Sequence, residues 1–229
     1  GDWDITHNSA SELLEKEAEM EVQLWGAAQS YGFVGFTKRD RVGSRLDEGR
    51  LIVDGNSQLF TEHTFSAGGE MQPYAGVYIG LFGETGKKLD FRNNRLGDGV
   101  ELAPELKWNV DAHMQIQARH IYRTLDADSA EVFTANLTDL RLSYQFSVRS
   151  FVRLALIYSD ISRNPANNTG VVQAREKTLG SQLLYSYKLN PQTLFFAGYS
   201  DNAFSDDVVD HLTRDQRSVF LKFSYAWML

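Results

Sequence analysis

The chain has 229 residues, 42% of them hydrophobic and 23% charged, with a formal net charge of -7 and no cysteine. Its mean hydropathy of -0.35 and the lack of any run near the roughly 18 apolar residues of a spanning helix exclude a helical membrane protein. The acidic balance, without a basic stripe, argues against nucleic acid as a partner, and a chain without cysteine has neither a disulfide nor a thiolate metal site.

In chain order, residues 1–11 contain Asp2-Trp3-Asp4-Ile5-Thr6-His7 and are expected to form an external loop or a partial strand. Faint strands follow over 18–25, 31–38, 59–66 and 74–82. The clearest one spans 100–108: Val100, Leu102, Pro104, Leu106 and Trp108 alternate with Glu101, Ala103, Glu105 and Lys107. That period of two marks a strand with one apolar face. Past a tight turn at 109–113, Met114, Ile116, Ala118, His120 and Tyr122 alternate with Gln115, Gln117, Arg119 and Arg123. Leu140, Leu142, Tyr144 and Phe146 then oppose Asp139, Arg141, Ser143 and Gln145, and Val152, Leu154, Leu156 and Tyr158 oppose Arg153, Ala155 and Ser159. Leu179, Leu183, Tyr185 and Tyr187 face away from Gly180, Gln182, Ser186 and Lys188; Phe195, Ala197 and Tyr199 follow the turn at 189–192. The last strand places Val219, Leu221, Phe223, Tyr225, Trp227 and Leu229 on one face. The count is eleven.

The connections alternate between short ones, at 27–30, 71–73, 109–113, 147–149 and 189–192, and long polar ones, at 40–58, 84–99, 125–136, 162–177 and 201–216. Short periplasmic turns and longer external loops are the habit of outer-membrane barrels. The whole chain, 1–229, therefore reads as one all-β domain, an antiparallel up-and-down transmembrane β-barrel of about 11–12 strands in the bacterial outer membrane. A soluble β-sandwich or solenoid is the alternative. A chain that starts at Gly1 without a leader is expected to be a mature or truncated product. An odd count leaves the first strand running inward, so the reading is of the C-terminal part of a larger barrel, completed by N-terminal strands or by a partner chain.

Lumen-facing charges are expected at Glu101, Glu105, Lys107, Arg119, Arg123, Asp139, Arg141, Arg153, Lys188 and Lys222. One hairpin register sets Glu101 opposite Arg123 and Glu105 opposite Arg119, with Asp139 meeting Arg119 from the other side. Such cross-strand pairs contribute about 0.2–1 kcal/mol each. They would form either an ordering lattice for a wet interior or a selectivity lining.

No catalytic residues are assigned. The five histidines, His7, His63, His113, His120 and His211, are scattered, without serine and acid at telling spacings. No cofactor is expected. The acidic stretches at 126–128 and 206–210 lack the twelve-residue calcium-loop pattern, which leaves the metal question open. Solvated outer loops, or loops bridged to lipopolysaccharide by divalent cations, account for them.

The ending Lys222, Ser224, Trp227 and Leu229 resembles the terminal signal of outer-membrane barrels, with Ser where Gly is usual. That resemblance implies the barrel assembly machinery, outer-membrane lipid and lipopolysaccharide as partners. The strings at 134–146, 148–151, 182–193, 195–202 and 222–227 resemble the C-terminal barrel of a proteobacterial outer-membrane family. Full-length members of that family carry an N-terminal carbohydrate-binding domain of the family-9 type. The resemblance covers about 90–229 best and implies the barrel architecture, the family's own function being unknown; the function expected is a non-enzymatic channel or transport barrel, with oligosaccharides suggested by family analogy alone. The other functions open to such a chain are a structural barrel that displays or exports a partner domain, and an outer-membrane hydrolase.

Overall fold

The computed structural model describes residues 1–9, 11–43, 46–47, 50–51, 58–190 and 193–225. The fold is all-β. Its strands are β1 (Asp2–His7), β2 (Leu13–Gly26), β3 (Ser30–Val42), the short pair β4 (Leu46–Asp47) and β5 (Arg50–Leu51), β6 (Leu59–Tyr74), β7 (Val77–Asp90), β8 (Arg95–Asn109), β9 (Met114–Ala127), β10 (Ala130–Ser147), β11 (Ser150–Arg163), β12 (Arg175–Asn190), β13 (Thr193–Ser205) and β14 (Thr213–Tyr225). Apart from the β4–β5 pair they form one twelve-stranded antiparallel sheet in which each strand pairs with the next in sequence. Among the described residues the sheet is not closed: β1 and β14 are its two edges.

All eleven expected strands are present. The twelfth is β1, which occupies residues 2–7 of the segment expected as a loop or partial strand. Trp3 and Ile5 register with Ala18 and Lys16 of β2. Six residues cover only the upper half of β2, so its other edge is unpaired from Met20 to Gly26.

The strands outrun the sequence expectation at one end. Residues 84–90 and 95–99 belong to β7 and β8, and 125–127 and 130–136 to β9 and β10. Two of the expected long loops are therefore turns of a few residues. Asp128 and Ser129 both have positive φ (53° and 64°), the geometry of a two-residue hairpin turn matched to strand twist. The period-two signal fades in these extensions because neither face is uniformly apolar, yet the backbone ladder continues. The long connections that remain in the described residues are 164–174 and 206–212. At the opposite end, β6 runs through 71–73 to Tyr74, and the turn is Ala75-Gly76, Gly76 having φ +79.

Pro104 sits inside β8. It keeps its register with Leu81 of β7, but the β8–β9 pairing is interrupted between Leu102 and Glu105. A proline has no N–H to give a neighbouring strand, so one side of the ladder is broken there and the other is kept.

The two faces differ in shelter. Leu102 is 45% exposed while its neighbour Ala103 is 8% exposed; on β9–β11 the contrast reverses, with inner Arg119, Arg123, Arg141 and Arg153 exposed and outer Leu140, Leu142, Leu154 and Leu156 half-buried. The face that holds Ala103 is called inner, and the face that holds Leu102 outer. Val219, Leu221 and Phe223 of β14 stand on the outer face, 65% exposed or more. The buried apolar cluster is small: Leu125, Ala127 and Val132, with Phe133 packed against it at the tip of the β9–β10 hairpin. Among the described residues this cluster is much smaller than the interleaved interior of a two-sheet sandwich.

Candidate functional site: the inner face

Alternation along each strand carries the expected charged residues to the inner face. β8 supplies Glu101, Glu105 and Lys107, β9 Arg119 and Arg123, β10 Asp139 and Arg141, and β11 Arg153. Lys188 and Lys222 share this parity near the tight-turn end of β12 and β14. The register sets Glu101 opposite Arg123, Glu105 opposite Arg119 and Asp139 opposite Arg119.

Contacts follow only part of that register. Arg123 donates from Nε and one terminal nitrogen to Glu101 Oε2, at 2.9 and 2.5 Å. Glu105 instead pairs with Lys107 at 2.8 Å on its own strand. Asp139 takes both bonds of Arg141, at 3.0 and 2.8 Å. Arg119 is thereby left with no carboxylate in salt-bridge range among the described residues, although Glu105 and Asp139 flank it in register. Arg153 Nε donates to Ser143 Oγ at 3.3 Å, and its guanidinium lies 5.6 Å from the Phe151 ring centre. Lys188 and Lys222 have no ion pair among the described residues.

The N-terminal strands add inner-face charges that the sequence reading passed over. Arg39 binds Glu17, Arg41 binds Glu62 at 2.9 Å, and Lys88 binds Glu84. Glu62 is 4% exposed and also accepts from the Leu89 backbone N–H at 2.5 Å. The alternation of Glu15, Glu17, Glu19 and Glu21 with Lys16, Ala18, Met20 and Val22 was the signal for this lattice. It was faint because Lys16 and Ala18 blunt the apolar face. The inner wall is consequently uneven in charge, with carboxylates predominant on β2–β8 and Arg119, Arg123, Arg141, Arg153 and Arg163 on β9–β11.

Aromatic residues were also missed. Inner-face rings form a ladder across β2, β3 and β7. Trp25 and Tyr31 centroids are 5.8 Å apart, Tyr31 and Phe33 6.1 Å, and Phe33 and Phe82 6.2 Å. Beside it lies a cavity of about 290 Å³ that reaches Glu70, Glu105 and Arg119. A neighbouring cavity of about 180 Å³ shares Glu105 and Arg119 and extends to Gln117, Asp139 and Arg141.

The loop end is roofed by residues 164–171. Asn167 Nδ2 donates to the carbonyls of Ala127 and Ala130, both at 2.9 Å, and Asn168 Nδ2 to that of Val132 at 2.9 Å. Arg95 joins Asp128 at 2.5 Å and the Asn167 carbonyl at 2.6 Å, and Thr169 N–H donates to Asn93 Oδ1 at 2.6 Å. Below the roof is a cavity of about 430 Å³. Of its cations, Arg41, Lys88, Arg123 and Arg163 are matched by Glu62, Glu84, Glu101 and Glu176, and Arg92 donates to the Val171 carbonyl at 3.1 Å.

The acidic stretches are held by neighbouring backbone and side chains, Asp128 by Arg95 and Asp210 by His211. Asp207 accepts from the N–H groups of Ala174 and Arg175, at 2.5 and 2.8 Å, and so ties the two long loops together. Asp206 accepts from Val208 and Val209 N–H, and these bonds, that of Val209 first, hold its carboxyl below the usual carboxylate range. Among the described residues no three or more His, Asp or Glu side chains are gathered as a metal site. The histidines stay apart. His113 Nδ1–H donates to the Gln145 carbonyl at 2.7 Å, His120 meets Thr138 Oγ1 at 2.9 Å, His211 meets Asp210, and His63 stacks on Phe36.

Of the terminal assembly signal, Lys222 and Ser224 lie on the inner face of β14, and Trp227 and Leu229 lie outside the described residues. No protein-family model matches the chain, and no curated protein matches it.

Proposed function

We propose that the chain is the wall of an outer-membrane β-barrel that conducts solutes without chemistry, with its outer face in lipid and its inner face in water. The observation that carries this reading is the division of the sheet by parity. Leu140, Leu142, Leu154, Leu183, Val219 and Leu221 face outward over consecutive strands in register, while their neighbours Arg141, Ser143, Arg153, Gln182, Ser218 and Lys222 face inward. Tyr144, Phe146, Tyr187, Phe223 and Tyr225 band the outer face at the tight-turn end, as interfacial aromatics do. No helix of the described residues is long and apolar enough to cross a membrane, so any crossing falls to the strands.

Among the described residues β1 and β14 are the open edges of the sheet, and backbone N–H and C=O groups left along such an edge cost several kcal/mol each in hydrocarbon. That penalty supports a cylinder completed by further strands, from the same polypeptide or from a partner chain. The acidic and basic regions of the inner wall would set up a transverse field that orients dipolar solutes. Oligosaccharides are the proposed solute class, on the family resemblance and the aromatic rings of the inner face.

The test is single-channel recording after reconstitution in planar bilayers. Steady ion current supports the channel. A barrel that inserts but stays silent overturns it in favour of a structural role in displaying or exporting a partner.

A further inference from the structure

The inner face at the tight-turn end of β3, β6, β7 and β8 is built for flat ligands. Glycines leave the floor bare: a Cβ on Gly68 would stand 2.7 Å from the Phe33 ring, and one on Gly80 would stand 3.2 Å from the Tyr78 hydroxyl. The rings of Phe33 and Tyr78 therefore lie down on the sheet. Tyr31 and Phe82 continue the Phe33 surface at interplanar angles of 28° and 29°.

Polar groups edge this surface. Tyr78 Oη donates to Glu70 Oε2 at 2.6 Å. Lys107 Nζ sits 4.6 Å over the Tyr78 ring and is ion-paired with Glu105. The Arg119 guanidinium reaches both this cavity and the next, and no carboxylate occupies it.

We infer that the ladder of Tyr31, Phe33 and Phe82, with Glu70, Glu105 and Arg119 at its rim, is a binding subsite for neutral saccharides on the passage wall. A pyranose has apolar C–H faces and a rim of hydroxyls that both donate and accept. Adjacent rings tilted by less than 30° to one another match the faces, and carboxylate acceptors with a free guanidinium donor match the rim. Glu70, Glu101 and Glu105 outnumber Arg119 around the cavity, which disfavours phosphorylated or acidic sugars. A cationic ligand would compete with Lys107, which already covers the Tyr78 ring and Glu105. A lipid tail would bring no partner for the carboxylates.

This subsite rests on the reading of the inner face as a solvent-filled passage, and its test does not require conductance. The barrel, closed by its further strands or its partner chain, is reconstituted in lipid nanodiscs, and binding of maltohexaose and cellohexaose is measured by calorimetry beside spermidine. At least one hexaose should bind, and Tyr31→Leu or Phe33→Leu should weaken it roughly three- to tenfold, the worth of one aromatic contact. Phe36→Leu, on the outer face of the same strand, should leave binding unchanged. Circular dichroism and heat-modifiable gel mobility check that each variant is folded. Undiminished hexaose binding in folded Tyr31→Leu and Phe33→Leu variants, or binding of spermidine alone, overturns the subsite. A protein that conducts but binds neither hexaose overturns the subsite and leaves the channel standing. Ring-dependent hexaose binding in a silent barrel keeps the subsite and removes the channel.

Discussion

Leu142→Arg probes the membrane reading at its most sensitive point. Leu142 is on the outer face of β10, in register with Ile116 of β9 and Leu154 of β11. The same face of β10 runs from Phe146 and Tyr144 at the tight-turn end to Thr138, which contacts His120 at 2.9 Å where polar groups begin. From Thr138 to Phe146 the strand rises roughly 27 Å, or about 21 Å along the normal at a tilt near 40°. Leu142 is the midpoint of that rise. An arginine there should cost about 2–4 kcal/mol, a shift of about 30- to 700-fold in the folding equilibrium. Gln182→Arg is the matched control, exposed on the inner face beside the neutral residues Ala155 and Ser200, and it should cost well under 1 kcal/mol. Urea titration of vesicle-reconstituted protein, followed by tryptophan fluorescence, measures both. Equal losses at the two positions would mean that both faces are equally dry, as in a sandwich, and the parity argument would fail.

Three other outcomes follow from the geometry. Val171 and Val208 in the long loops are 98% and 84% exposed, and Val148 in a tight turn is 88% exposed; cysteines at the first two should react with an impermeant reagent on intact cells and one at Val148 should not, and the reverse pattern inverts the orientation. Asn167→Ala removes the bonds to the Ala127 and Ala130 carbonyls, should loosen the 164–171 roof locally by about 1–3 kcal/mol, and should speed proteolysis near Val171 while leaving the global unfolding midpoint unchanged. The Asp111 carboxylate accepts from the N–H groups of His113 and Met114 at 2.6 and 2.8 Å, which lowers its pKa, His113 contributing most; a depressed folded pKa means that its stabilisation of the 110–113 turn is complete above pH about 4 and is lost as pH falls through the folded value, so an NMR titration that finds Asp111 at or above the free-aspartate value contradicts the turn geometry.

The mid-sheet strands were legible in the sequence because one face is greasy and the other is not. Val100 to Trp108, Leu140 to Phe146 and Val152 to Tyr158 announce themselves by a period of two, and the hairpin pairing of Glu101 with Arg123 follows from charge and turn length alone. The loop-end extensions were not legible. Residues 84–90 and 130–136 mix Gly, Lys, Asn and Thr on both faces, and only the backbone ladder, which carries no side-chain signature, shows that they are strands. β1 reads in the sequence as either a loop or a partial strand for a related reason: six residues with Asp at two of them give too few alternations to separate the two.

Chemistry on the inner face was legible as composition but not as partnership. Alternation places Arg119, Glu105 and Asp139 on one side of the sheet, and their types suggest a closed lattice. Lys107 and Arg141 reach those carboxylates along their own strands, a choice set by side-chain length and rotamer. Arg119 is thus left uncommitted. The aromatic ladder needs β2 and β3 beside each other and β7 one strand further on, with Gly68 of the intervening β6 and Gly80 beneath the rings, and residues 31 and 82 share no local pattern. A strand's two faces are written in its own residues, whereas what stands opposite each side chain depends on register across strands far apart in the chain, and that is settled only when the sheet is assembled.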